Sequence, residues 1–235
     1  MTVLPAPSMA YQKPAAQDLV SLRQVFATID AASCPHAFNF HMHTQHSDGQ
    51  LDPQALAQQA LDLGLKGFAI TDHHQISGFY AAQAYLIESQ QQHPDQSVPQ
   101  LWTGVEINAT LLDVVVHILG YGFNPHHPAM ADYLLGEAPT GAMAEADRVV
   151  SAIHQAGGLV ILAHPARYRK SYEELIPAAV AIGINGVETY YAYGNPKPWE
   201  PSPDKTAAVQ AISQRYQLLN TCGTDTHGIS LEQRV

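Results

Sequence analysis

From residue 37 onward, short apolar runs alternate with helical patterns, and this alternation constrains the fold more than any other feature of the chain. Phe38 to His41 (FNFH) is followed by a polar loop and then by Asp52 to Leu63. That segment opens with an Asp cap and Pro53 at the first helical position and closes before Gly64. Strand-like runs recur at Gly67 to Thr71, Leu101 to Ile107, Asp113 to Gly120, Leu159 to Ala163, Gly186 to Tyr190 and Gln217 to Cys222. Helical patterns lie around Tyr80 to Gln91, Glu145 to Ala156 and Asp204 to Gln214. The uninterrupted run LVILA at Leu159 is of the kind buried on both faces of a parallel sheet. The alternation predicts an α/β fold, and about seven strands suit a single-domain, distorted (β/α)7 TIM-like barrel spanning residues 18–235.

Upstream, residues 1–17 are rich in Pro and Ala with no apolar period, which predicts a flexible N-terminal tail. Asp18 to Ile29 has apolar residues three and four apart and reads as an amphipathic helix capped by Asp18.

Composition narrows the function classes. With 46% hydrophobic and 14% charged residues, the chain has the material for one sizeable core. Its net charge of −10 leaves no excess of basic side chains to neutralise a run of phosphates, so a long nucleic-acid footprint is not expected. Cys34 and Cys222 are too few for a disulfide framework, which points to a reducing compartment. No apolar stretch approaches a membrane span, and the first residues lack a secretory pattern. A soluble, cytoplasmic protein without a membrane partner is the expectation. Histidine is the outlier, with 13 residues against 11 Lys and Arg combined, and it is the commonest metal ligand.

The strand ends carry these ligands. FNF runs into His41-x-His43 and then Asp48; GFAIT into Asp72-His73-His74; WTGV into Glu106. VVV runs into His117, LVILA into His164, and LLNTCG into Asp225-x-His227. In a barrel of parallel strands these carboxyl ends converge on one face. His41, His43, His73, His117, His164 and His227 with Asp48, Glu106 and Asp225 are more groups than one catalytic ion uses, so two or three divalent ions are expected. The absence of thiolates among them favours manganese, zinc or iron. Such ions lower the pKa of bound water towards ~7 and stabilise attacking and leaving oxygens at phosphorus, so phosphoester hydrolysis is the natural chemistry. The segment Arg167-Tyr168-Arg169-Lys170 is the densest basic run, and Arg167 suits a bidentate grip on phosphate.

Taken together, the motifs resemble the PHP family (polymerase and histidinol phosphatase), metal-dependent phosphoesterases with a distorted seven-stranded β/α barrel. His41-Met42-His43-Thr44 with Ser47-Asp48-Gly49 is similar to its first motif and Thr71-Asp72-His73 to its second. Gly104-Val105-Glu106-Ile107, His117, Ala163-His164-Pro165 and Gly223-Thr224-Asp225-Thr226-His227 resemble the rest, over roughly Phe38 to Gly228. The resemblance implies three metal positions. His41, His43, Glu106 and Asp225 would hold one, Glu106, His117 and His164 a second, and Asp48, His73 and His227 a third. Glu106, Asp225 and His227 are the residues expected at the catalytic step. The run from Ala163 to Tyr168 is most similar to phosphatases of 3′,5′-bisphosphate nucleosides, in which Arg167 would contact phosphate. Two residues depart from the pattern: Asn39 stands where an Asp commonly precedes the first motif, and His74 replaces a second Asp. The stretch between His117 and His164 is also too short for the lid domain those phosphatases insert.

Several roles stay open at this level. Arg167 and Tyr168 are candidate substrate contacts, against a surface ion pair and simple packing. Glu188 either orients a ligand histidine or binds substrate, and Asp72 reads as a structural partner. Tyr190, Tyr191 and Tyr193 either stack on a base or cover the rim. The expected function is hydrolysis of small phosphate monoesters, a nucleotide first and histidinol phosphate second. The rival is a metal-stabilised binding module without turnover.

Overall fold

The computed structural model describes residues 15–235. Residues 1–14 of the expected tail lie outside the described residues. Its last three, Ala15–Gln17, instead form a 3-10 turn, where Thr103 N and Gln100 Nε2 each donate to this turn at 3.0 Å, to the carbonyls of Ala16 and Ala15. Helix α1 (Leu19–Phe26) starts where the Asp18 carboxylate accepts from Val20 N and Ser21 N at 3.1 and 3.2 Å, an N-cap worth about 1 kcal/mol. It ends before the expected Ile29, with Leu22 and Phe26 buried.

The strands are β1 (Phe38–Asn39), β2 (Gly67–Ala69), β3 (Gln100–Trp102), β4 (Gly104–Leu111), β5 (Val114–Tyr121), β6 (Leu159–Leu162), β7 (Gly186–Tyr190) and β8 (Leu219–Cys222). The helices that follow α1 are α2 (Pro53–Asp62), α3 (Ser77–Gln92), α4 (Ala146–Gln155), α5 (Tyr172–Ala181) and α6 (Pro203–Arg215). The fold is a mixed α/β single domain, but the closed seven-stranded barrel is corrected. Eight strands form two sheets, β1-β2-β3 and β4-β5-β6-β7-β8, and no single closed sheet is found among the described residues. Isolated bridges mark the two seams, Met42 with Thr226 and His73 with Glu106.

The expected uniform parallel direction is also corrected. β1 to β3 and β6 to β8 pair parallel, whereas β4-β5 and β5-β6 are antiparallel. The cause is local: β4 and β5 are joined by Leu112-Asp113, with left-handed φ of 51° and 61°, and a two-residue connection permits only an antiparallel hairpin. The run read as one strand from Leu101 to Ile107 breaks at Thr103, whose Oγ1 donates to Phe123 O at 2.9 Å. Helix α5 was not foreseen, because Pro177 sits inside it and forfeits one intrahelical bond.

The core explains the layering. Helix α4 sets Val149, Val150 and Ile153 against Val105, Ile107, Val116, Ile118, Val160 and Leu162 of the larger sheet, all buried. Each such side chain contributes about 1.5–3 kcal/mol of burial. Phe68, Leu56, Ala57 and Ala82 do the same for the smaller sheet under α2 and α3. The apolar layer therefore covers the outside of the strands and leaves their ends to polar residues.

Candidate metal centre

Backbone geometry at the seams sets the site. Phe40 N donates to Cys222 O at 3.0 Å and Asp225 N to His41 O at 2.8 Å, which brings the end of β8 against the end of β1. Gly223 is required there, since a Cβ on it would lie 2.2 Å from that of His41. Across the other seam His74 N donates to Glu106 O at 3.0 Å. In the β4-β5 ladder Glu106 faces Leu119 and Asn108 faces His117, so Glu106 and His117 sit diagonally on one face of the hairpin. Two clustered residues, His164 and Asp225, hold left-handed φ of 24° and 53°. Such conformations carry strain and gather at functional sites.

All nine expected ligands come together. His41 Nε2 and His43 Nε2 each lie 3.1 Å from Glu106 Oε2, and 3.3 and 3.2 Å from Asp225 Oδ1. The other oxygen of Glu106 faces His117 Nδ1 at 2.8 Å and His164 Nε2 at 3.4 Å. Asp48 stands 3.6, 3.7 and 3.3 Å from His43 Nδ1, His73 Nε2 and His227 Nε2. His41, His43, Glu106 and Asp225 form one group whose donor atoms all lie within 4.8 Å of one another, and His43, Asp48, His73 and His227 form another. The inner group is fully buried, whereas Asp48 is 55% exposed, so the cluster opens towards Asp48.

The residues present fit divalent ions. Buried Nδ1 and Nε2 atoms of both His43 and His164 lack a hydrogen-bond partner, as does Nδ1 of His73, and orphaned buried nitrogens at this density call for a ligand. The donors are imidazole and carboxylate throughout, a borderline set. Electrostatics agree. Burial opposes the charged forms, but His41 and His117 hold the Glu106 carboxyl well below its usual range. Burial would push His43 down, yet the close carboxylates of Asp225 and Glu106 outweigh it and raise it to about 9. Burial dominates at His73, which falls to about 4, and it lowers His164.

Around this group further side chains make defined contacts. Glu188 is buried beneath the cluster, with Oε1 accepting from His41 Nδ1 at 3.0 Å and Oε2 from His164 N at 2.8 Å. One oxygen thus faces a candidate ligand imidazole and the other a backbone amide. The Tyr168 hydroxyl accepts from His117 N at 2.8 Å and donates to Ala163 O at 3.3 Å. Asp72 accepts from Thr44 N, Thr44 Oγ1 and Ser47 Oγ, each at 2.7 Å, and so ties down the loop that carries Asp48. Asn39 donates to Thr224 Oγ1 at 2.8 Å and Leu231 O at 3.0 Å, and accepts from Thr224 N at 3.1 Å.

One oxygen of Asp225 draws three donors that the sequence reading did not assemble. Oδ2 accepts from Tyr191 OH at 2.7 Å, Arg234 Nε at 2.8 Å and Arg167 Nη1 at 3.1 Å. Arg167 is 42% exposed with its guanidinium paired to Asp225. Arg234 was missed, since a lone arginine in EQRV carries no local signal.

Among known proteins, the chain is 33% identical over 97 residues to the 5′-3′ exoribonuclease Rnm of Salmonella typhimurium, covering 41% of this chain and 31% of that one. It is 31% identical over 93 residues to the 3′,5′-nucleoside bisphosphate phosphatase of Chromobacterium violaceum, covering 40% of this chain and 30% of that one. The matched segment thus spans less than a third of either relative. A solved amidohydrolase of Chromobacterium violaceum, with bound sulfate and no metal, shares the fold at a TM-score of 0.68 and 20% identity, over 84% of this chain and 90% of that one. No helix among the described residues is long and apolar enough to cross a membrane. Residues 39–223 match the family described as the PHP domain, from just before His41 to Gly223, and on that match the chain belongs to the PHP family.

Proposed function

We propose that this protein hydrolyses small phosphate monoesters, with a nucleotide as the favoured substrate, using two or three divalent ions of manganese, zinc or iron. The observation that carries the reading is the division of Glu106, one carboxylate oxygen towards His41 and His43 and the other towards His117 and His164. Bound ions would supply Lewis acidity at phosphorus and a water of near-neutral pKa. The chain supplies the rest. Glu188 fixes His41 and the turn at His164, Asp72 fixes the loop of Asp48, and Arg167 beside Asp225 positions an anionic substrate. Relatives named for an exoribonuclease and a nucleoside bisphosphate phosphatase favour a nucleotide over histidinol phosphate. They also keep short ribonucleotide ends within the same chemistry.

The test is phosphate release by the manganese-loaded protein from nucleoside bisphosphates, phosphosugars and histidinol phosphate. Glu106→Gln is expected to lower the rate by orders of magnitude. Silence of the wild-type protein across the whole panel would defeat the reading and favour a binding module.

A further inference from the structure

The two oxygens of Asp225 meet different company. Oδ1 lies 3.3 Å from His41 Nε2 and 3.2 Å from His43 Nε2, whereas Oδ2 accepts from Tyr191 OH at 2.7 Å, Arg234 Nε at 2.8 Å and Arg167 Nη1 at 3.1 Å. We propose that Tyr191 and Arg234 are positioning residues that confine Asp225 to ligation through Oδ1 alone, and that this sharpens the selection of zinc over calcium at the inner metal position. The proposal rests on the metal-dependent reading of the cluster.

Lone pairs decide what Oδ2 can do. An ionised carboxylate has about four acceptor sites, two on each oxygen. Three donors therefore leave Oδ2 nothing to offer an ion. Glu106 is divided in the same sense, with Oε2 towards His41 and His43 and Oε1 towards His117 and His164. The inner group is thereby held to one atom from each of His41, His43, Glu106 and Asp225, two nitrogens and two oxygens. A closed set of four suits zinc. Calcium takes about 6–8 oxygens and often both from one carboxylate, so the loss of Oδ2 penalises it most. The braces are themselves fixed. Tyr191 directly follows β7, is buried, and its carbonyl accepts from Ser202 N at 3.0 Å. The Arg234 carbonyl accepts from His227 N at 2.6 Å and Gly228 N at 3.2 Å, which ties this arginine to the ligand segment itself. Arg167 is the most exposed of the three donors and the loosest brace. The outer group lacks such support: Asp48 is half-exposed, and besides histidines only Ser47 Oγ approaches its carboxylate, at 3.4 Å, among the described residues. Selectivity thus belongs to the inner position.

The experiment measures zinc and calcium affinities by competition with a chromophoric chelator, in an Asp48→Asn background that weakens the outer group. Tyr191→Phe and Arg234→Gln are made singly and together, each with a melting curve to establish folding. Loss of a guanidinium charge strengthens the field on both ions alike, so the ratio of zinc to calcium affinity isolates the confinement. That ratio is expected to fall about tenfold in the double variant, the scale of a lost partner behind a metal ligand. Adding Asp225→Asn is expected to abolish the fall, since the braces act through that carboxylate. A ratio unchanged in the folded variants, or a fall that persists with Asp225→Asn, overturns the proposal and leaves the metal reading intact. Calcium binding too weak to measure in every variant counts as an unchanged ratio. Should Tyr191→Phe fail to fold, Arg234→Gln decides alone. Wild-type protein that takes up neither ion defeats the metal reading itself, and this proposal with it.

Discussion

Glu188 Oε1 lies 3.0 Å from Nδ1 of His41, both side chains fully buried, and this contact turns the Nε2 face of His41 towards Glu106 and Asp225. A carboxylate behind a ligand imidazole fixes its orientation and raises its basicity, and removing such a partner costs about 10–100-fold in metal affinity. Glu188→Gln is therefore expected to weaken manganese binding by about that factor, as read by chelator competition. Unchanged affinity would show that His41 is held by its neighbours alone.

Metal uptake should release protons. A coordinating imidazole must give up the proton on the nitrogen that binds. His43, raised to about 9 in the metal-free cluster, is protonated at pH 7.5, and His41 is raised as well, since the carboxylates of Glu106 and Glu188 outweigh its burial. His73 and His164 are lowered and already neutral there. Titration calorimetry at pH 7.5 in buffers of different ionisation enthalpy should report net proton release, and apparent affinity should climb as pH rises towards about 9. Heats independent of the buffer would contradict this charge state.

Chelation should lower the melting temperature. A single ion present at a hundred times its dissociation constant adds about 2.7 kcal/mol. For a domain of this size that amounts to about 5–10 °C. Coincident melting curves with and without a chelator would mean that the folded state gains nothing from the ions.

Asn39 is expected to resist conversion to Asp, although Asp is the residue the family pattern favours. The Asn39 amide donates to Leu231 O, a carbonyl that can only accept, and a buried carboxylate in its place would face that oxygen unpaired. Asn39→Asp should cost about 1–3 kcal/mol. Differential scanning fluorimetry would register this as a drop of several degrees, and an unshifted transition would show that the return of the chain at Leu231 adjusts freely.

The site was more legible than the sheet because each ligand follows an apolar run. His41, His164 and Asp225 each follow the end of a strand, which survives any error about strand direction, and Glu106, although it lies within β4, follows the apolar run of β3. Direction itself was hidden at Leu112-Asp113, a pair without the Gly or Asn that signals a two-residue hairpin, so β5 passed for the end of a crossover. Pro177 concealed α5 in the same way, by presenting a breaker where packing of Leu175, Ile176 and Ala179 prevails. Arg234 was beyond reach for a different reason: its contact with Asp225 depends on a return of the chain after Gly228 that no local pattern announces.

That return has a practical side. The Arg234 carbonyl accepts from His227 N at 2.6 Å and from Gly228 N at 3.2 Å, and Val235 beside it is 56% exposed. Whatever polypeptide is joined after Val235 starts near His227, and a polyhistidine purification tag placed there would compete with the clustered histidines for added cations. Such a tag belongs at the opposite terminus.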